Sequence, residues 1–303
     1  MSPGRAVAAR LLLILAGPIL LGVPSSGDVW SYKEGEHGPN NWPGMCQSGT
    51  QQSPIDLDPE TAIPGHFEPL VLLNYDRKVS ANITNNGHTV MLTVEQPCEI
   101  VMAAGGLPGV YRLEQIHFHW KSEHTLRGRR WPLEMHMVHF DRQYLKLNEA
   151  VRHHQGLAVL AVLFYETEEP NKGLQTILDA IAKVSHTEKT PYKIPQAVSL
   201  EELVPDEKNR FYRYAGSLTT PNCDESVVWT VLTQPVPIGK DQVQQFHKVQ
   251  THNEPLRSNY RPLQKLDNRR IYLQHPSQES ASNTKQHSWF ITVLLLAMLS
   301  VTV

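Results

Sequence analysis

The chain is poor in cysteine, in basic clusters and in long apolar runs, and each shortage narrows what it can be. Three cysteines in 303 residues allow one disulfide and leave one thiol over. No cationic group exceeds Arg127, Arg129 and Arg130, and the formal charge is -2 with a pI near 6.7, which argues against nucleic acid and against a cationic membrane face. No apolar stretch reaches the roughly 20 residues of a membrane-spanning helix. Leu11 to Val23 is broken by Gly17 and Pro18, and Trp289 to Val303 is shorter still than such a span. No H-E-x-x-H sequence is present, so no carboxylate base is placed as in the zincin-type ester and peptide hydrolases. No internal repeat and no linker divides the middle of the chain.

Both ends carry signs of processing. Residues 1–27 read as a secretory signal, with Arg5 and Arg10 before the apolar run and Ser25, Ser26 and Gly27 as small residues for cleavage. The alternative, an N-terminal anchor, fits the interrupted run less well. Residues 277–303 place the small residues Ser280, Ala281 and Ser282 before a polar spacer and a hydrophobic tail. That is the order of a glycosylphosphatidylinositol (GPI) attachment signal, with Ser280 the attachment candidate and a tail-anchoring span the alternative. The expected location is therefore the extracellular face of the plasma membrane, held by a lipid anchor, with simple secretion the alternative. Asn82-Ile83-Thr84 is an N-glycosylation sequon. Residues 28–276 remain, enough for one sizeable core in a single domain.

Short β-branched and apolar runs recur between turn signals: Val90 to Val94, Ile116 to Trp120, Met135 to Phe140, Leu157 to Phe164 and Val227 to Thr233. They are too short for buried helices and several alternate, which predicts strands and a mainly β fold. One helix is expected over Leu174 to Val184, where Leu174, Ile177, Leu178 and Ile181 follow a 3.6 period, and a second near Gln242 to Val249.

What the sequence does have is a cluster of histidines in strand rhythm. Gln115, His117 and His119 alternate along one predicted strand, and Glu134 and His136 along another. Alternate residues share one face, so three imidazoles can converge, the ligand set of a catalytic zinc whose fourth position is left to water. Structural sheet histidines are the plainer reading, but His117 and His136 are each preceded at i-2 by a polar residue, Gln115 and Glu134, on strands whose other face is Leu133, Met135 and Met137. Buried polar groups cost free energy unless paired, whereas a ligating histidine needs such a partner for its second nitrogen.

The stretch His117-Phe118-His119-Trp120, then Ser122-Glu123-His124-Thr125, then Glu134-Met135-His136-Met137-Val138-His139 resembles the alpha-class carbonic anhydrases. Further matching blocks are Trp30-Ser31-Tyr32, Gln52-Ser53-Pro54-Ile55-Asp56, Asn85-Asn86-Gly87-His88, Gly216-Ser217-Leu218-Thr219-Thr220-Pro221 and Asn259-Tyr260-Arg261-Pro262. The resemblance implies a large central, mostly antiparallel twisted sheet with a few short helices and zinc at the base of a conical cavity. It implies reversible hydration of carbon dioxide to bicarbonate and a proton by attack of zinc-bound hydroxide, with His117, His119 and His136 as ligands and Gln115 and Glu134 behind them. Thr219 would orient the hydroxide by donating its own proton to Glu123, and His124 would brace this loop.

Val138, Val159, Leu218, Val227 and Trp229 match the family's hydrophobic substrate pocket. Tyr32, Asn86 and His88 match its polar wall, and Thr220 is counted with both. His88 would be the proton shuttle, its ordinary pKa suiting it to take and release protons near neutrality. His139, His153 and His154 are read as structural or surface residues. Cys46 and Cys223 match the pair bridged in extracellular members, which leaves Cys98 over. Sulfonamides and anions are the expected inhibitors. The chain departs from the pattern in a very short connection between Trp120 and Ser122-Glu123, and in Met91 near the shuttle, where a polar residue is common. A non-catalytic, binding-only relative would lack a ligand or the Thr–Glu pair, and here His117, His119, His136, Thr219 and Glu123 are all present.

Overall fold

The computed structural model describes residues 30–276. The expected cleavage site, Ser280 and the hydrophobic tail lie outside them. A sheet of 13 strands organises the chain. Its main path runs Tyr192–Lys193, Ala81–Asn85, Val90–Val94, Tyr111–Trp120, Leu133–Asp141, Leu157–Thr167, Val227–Leu232, Phe211–Gly216, Tyr272–Gln274 and Ile63–Gly65. Most pairs are antiparallel. Leu157–Thr167 pairs in parallel with both Val227–Leu232 and Val236–Gly239, and Ile63–Gly65 in parallel with Tyr272–Gln274.

The two faces of the sheet explain why its central strands read as unbroken apolar runs. Residues Leu157 to Phe164 are all buried. Ala158, Leu160, Val162 and Phe164 join a cluster with the helix residues Ile177, Leu178, Ile181, Val243 and Phe246. Leu157, Val159, Ala161 and Leu163 join a second cluster with Tyr212, Tyr214, Trp229 and Val231 on the opposite face. A strand covered on both sides has no polar face to alternate with.

Both predicted helices exist with corrected bounds. Lys172–Leu174 is a 3-10 turn, closed by Asn171 Oδ1 accepting from the Gly173 N–H at 2.9 Å, and the α-helix runs Gln175–Val184. The second helix is Lys240–Phe246, earlier than expected. Gln242 Oε1 accepts the N–H groups of Asn171 and Gly239, tying the helix start to the preceding segment, and Val249 already belongs to a turn.

Cys46 and Cys223 are bridged, with Cα atoms 5.0 Å apart, and Cys98 is free. Closing a loop of 177 residues would stabilise the fold by up to about 5 kcal/mol in the chain-entropy view. Asn82 sits half-buried on Ala81–Asn85, paired across the sheet with Thr93 and Lys193. Among the described residues no helix is long and apolar enough to cross a membrane.

Candidate active site

Strand alternation brings three imidazoles together from two neighbouring strands. His117 and His119 lie on Tyr111–Trp120, and on Leu133–Asp141 His136 stands opposite His117 while Glu134 stands opposite His119. The ring centroids are 4.6–5.1 Å apart, and one nitrogen of each lies within 4.8 Å of the others.

The second nitrogen of each ring is engaged, which settles which one is left. His117 Nδ1 meets Gln115 Oε1 at 2.9 Å, His119 Nδ1 meets the Asn259 carbonyl at 2.6 Å, and His136 Nε2 meets Glu134 Oε1 at 2.7 Å. Those oxygens only accept, so each of these nitrogens carries the proton. Lone pairs remain at Nε2 of His117 and His119 and at Nδ1 of His136. His119 Nε2 is buried with no hydrogen-bond partner among the described residues. An orphan of this kind costs about 1–3 kcal/mol, and a metal ion would satisfy it. Burial, then the neighbouring imidazoles, hold His117 well below the ordinary histidine range, and burial lowers His119 against the opposing charge of Glu123. Neutral nitrogens in a threefold set fit zinc.

Glu134 is the hub behind this set. Besides His136 it accepts from His124 Nδ1 at 2.7 Å and from the His124 main-chain N–H at 2.8 Å. Burial alone would push its carboxyl up, but His124 and His136, by charge and hydrogen bond, hold it well below the usual carboxylate range. His124 Nε2 in turn meets Tyr214 Oη at 2.6 Å. His124 thus braces Glu134 and not the Thr219 loop directly. His124, Glu134 and His136 also have metal-ligand spacing, but these hydrogen bonds occupy them.

Glu123 is fully buried; its Oε1 accepts the Arg261 N–H at 2.8 Å. Its Oε2 lies 3.6 Å from His119 Nε2 and has no hydrogen-bond partner among the described residues, so the expected bond from Thr219 is not formed here. The loop that carries Thr219 is tied elsewhere, with the Ser217 N–H on Ser53 Oγ and the Leu218 N–H on the Asp224 carbonyl.

The apolar residues named from sequence fall beside the imidazoles. Val138, Val159 and Trp229 pair in one rung across three strands, adjoining the rung His117, His136, Ala161. Val227 belongs to the same cluster, Leu218 packs against it, and Thr220 follows in that loop, its carbonyl accepting the Cys223 N–H. At the rim, Asn86 Oδ1 accepts the N–H groups of His88 and Thr89 and so builds the turn that carries His88. The His88 ring stacks on Trp30 with centroids 3.7 Å apart. Tyr32 stands edge-on to Trp30 and Trp42, and burial and the Glu123 charge push its phenol well up. His139 points to the other face, where it meets Tyr75 Oη at 2.7 Å and burial lowers it to about 4.

Sequence reasoning gave no role to Asn259, Arg261, Tyr214 or Trp30. The Asn259 carbonyl sets the tautomer of His119, while its side chain accepts the Trp120 N–H and donates to the carbonyls of His88 and Phe118. The Arg261 guanidinium donates to Gln52 Oε1 and to the carbonyls of Ser53 and Cys46, joining the disulfide end to the Glu123 turn. Three of the four stood in the quoted motif blocks, but no periodicity marks such long-range contacts.

A family model described as eukaryotic-type carbonic anhydrase matches residues 37–275. The chain belongs to that family. Carbonic anhydrase 4 of Mus musculus is 36% identical over 251 residues, 78% of this chain and 79% of that protein. Carbonic anhydrase 15 of Mus musculus is 36% identical over 285 residues, covering 86% and 87%. Carbonic anhydrase 4 of Oryctolagus cuniculus is 35% identical over 248 residues, covering 78% and 79%. Membership makes the chain an enzyme of the carbonic anhydrase class and supports carbon dioxide hydration as its activity.

Proposed function

We propose that this chain is a zinc enzyme that reversibly hydrates carbon dioxide to bicarbonate and a proton at the extracellular face of the plasma membrane. The observation that carries the reading is the buried, partnerless Nε2 of His119 among three imidazoles whose other nitrogens are all held. His117, His119 and His136 hold zinc through Nε2, Nε2 and Nδ1. Zinc in such a site supplies a Lewis acid that brings bound water to a pKa of about 7, behaviour for which carbonic anhydrase is itself the standard case.

The chain's own residues do the rest. Val138, Val159, Leu218, Val227 and Trp229 offer carbon dioxide an apolar wall beside the imidazoles. Thr219 would orient the attacking oxygen, its hydroxyl donating a hydrogen bond to Glu123; the buried, unpaired Oε2 of Glu123 supports this, because a donor there would remove an orphan. Tyr32, Asn86 and Thr220 form the polar wall, and His88 carries protons to solvent. Sulfonamides and anions bind as inhibitors. Asn82 is the glycosylation site and Ser280 the site of the lipid anchor.

One experiment tests activity and location together: carbon dioxide hydration by washed cells expressing the chain, and by material released with phosphatidylinositol-specific phospholipase C, each with and without a zinc chelator. Chelator-sensitive activity in the released fraction is expected. Its absence from both fractions would sink the enzymatic reading, and activity retained on membranes would replace the lipid anchor with a span.

A further inference from the structure

The short connection between the two ligand strands builds a cationic cavity away from the imidazoles. Lys121 follows the Tyr111–Trp120 strand in left-handed conformation, φ 63°, with its N–H on the Pro132 carbonyl, and the Ser122 N–H is on the Trp131 carbonyl. The hairpin that follows, Thr125–Leu126 against Arg129–Arg130, returns the chain beside them. Between these segments and Tyr260 lies a cavity of about 560 Å³, to which Lys121, Arg129 and Arg130 contribute three cations and Glu166 the one carboxylate.

None of the three cations belongs to an ion pair among the described residues, whereas nearby Arg127 pairs with both Asp58 and Glu60. Each guanidinium is instead laid over an aromatic ring, Arg129 over Trp131 at 4.3 Å and Arg130 over Tyr260 at 4.0 Å. Arg130 Nη1 donates to the carbonyls of Ser122 and Glu123, so its planar fork is already oriented. Trp131 lines the same cavity. Three like charges around one pocket favour an entering acceptor of negative charge through charge-assisted hydrogen bonds. The Glu123 turn separates the two sites, its carbonyl on the Arg130 side and its carboxylate near His119.

We infer that this cavity is a binding site for a phosphate or sulfate monoester, the oxyanion on Lys121, Arg129 and Arg130, the organic stem against the Trp131 and Tyr260 rings. The aromatic walls and the volume, larger than a bare ion fills, favour an ester.

Calorimetric titration of the zinc-loaded protein with phenyl phosphate and, separately, phenyl sulfate tests this in low salt. Binding at one site is expected, and the tighter probe names the source of the oxyanion. The double variant Lys121→Gly/Arg129→Glu should weaken it roughly tenfold or more, since two charge-assisted contacts are removed. Glycine at 121 suits the positive φ, so folding is not at risk there, and Arg129→Gln alone gives a milder version with the same sign. Affinity should also collapse at about 1 M salt, where screening acts within roughly 3 Å. An anion held at the metal would bind the double variant as well as the parent, and that result would overturn the assignment, as would no binding to the parent.

Discussion

Met137 and His136 are neighbours in sequence, sit on one strand and are equally buried, at 0% and 1% exposure, yet burial works in opposite directions on them. Met137 faces the helix-side cluster, where removing apolar area from water stabilises the fold by roughly 25 cal/mol per Å². His136 faces the other side, where burial costs free energy unless both nitrogens are satisfied. Glu134 satisfies one of them. The same contrast separates Met135 from Glu134. One face of the strand is made of what water rejects, and the other of groups that water would have solvated and that the fold must satisfy itself. The difference between the faces is therefore one of purpose: the first can be rebuilt with other apolar side chains, and the second only with groups of matching hydrogen-bond geometry.

Substitutions along this strand should pull the two properties apart. His136→Ala has the largest expected effect: activity falls by orders of magnitude and zinc content drops from one per chain to near none, because two imidazoles do not make an open tetrahedral site. Elemental analysis beside a hydration assay checks it. Met137→Ala is next and opposite in kind. It should cost about 2–5 kcal/mol of folding stability, read by denaturant unfolding, while the folded fraction keeps its zinc and its kcat/KM. A loss of zinc affinity matching the loss of stability would show that the faces are not independent. Glu134→Gln is smaller. Its amide keeps one acceptor oxygen where Glu134 uses two, so a buried N–H of His124 or His136 loses its acceptor, zinc affinity should fall about 10–100-fold, and folding stability should drop by about 1–3 kcal/mol. Competition with a chelator of known affinity measures that.

The contrast also explains what could be read from sequence. Period-two alternation showed which residues share a face, so His117, His119 and His136 with Gln115 and Glu134 were legible before any coordinates, as was the apolar identity of Leu133, Met135 and Met137. The register between strands was not legible, although it makes Val138, Val159 and Trp229 one rung beside the histidines. Those residues came from family resemblance alone. Contacts across 140 residues were also out of reach, such as the Asn259 carbonyl on His119, because a main-chain acceptor leaves no side-chain signature. Helix bounds slipped because Gln242, which periodicity would place inside a helix, caps its start.

The smallest expected effect lies at the rim, where His88 contrasts with the buried His119 and His136 in exposure and with all three imidazoles in partner. Its ring is half-buried and stacked on Trp30, and its turn is held by Asn86, so it is positioned without being locked into the imidazole set. In the proposed reaction, regenerating the active site moves a proton from the buried centre to solvent after carbon dioxide has been converted. A group that acts only in that later step affects kcat and leaves kcat/KM alone. His88→Ala should therefore lower kcat several-fold in weak buffer, keep kcat/KM nearly unchanged, and recover in part with added imidazole, which supplies a titrating group of similar pKa. The loss corresponds to about 1 kcal/mol of barrier, below each of the effects on the buried strand. A parallel fall in kcat and kcat/KM, without rescue by imidazole, would make His88 part of the framework, and the boundary between buried chemistry and exposed proton transfer would have to be drawn at another residue.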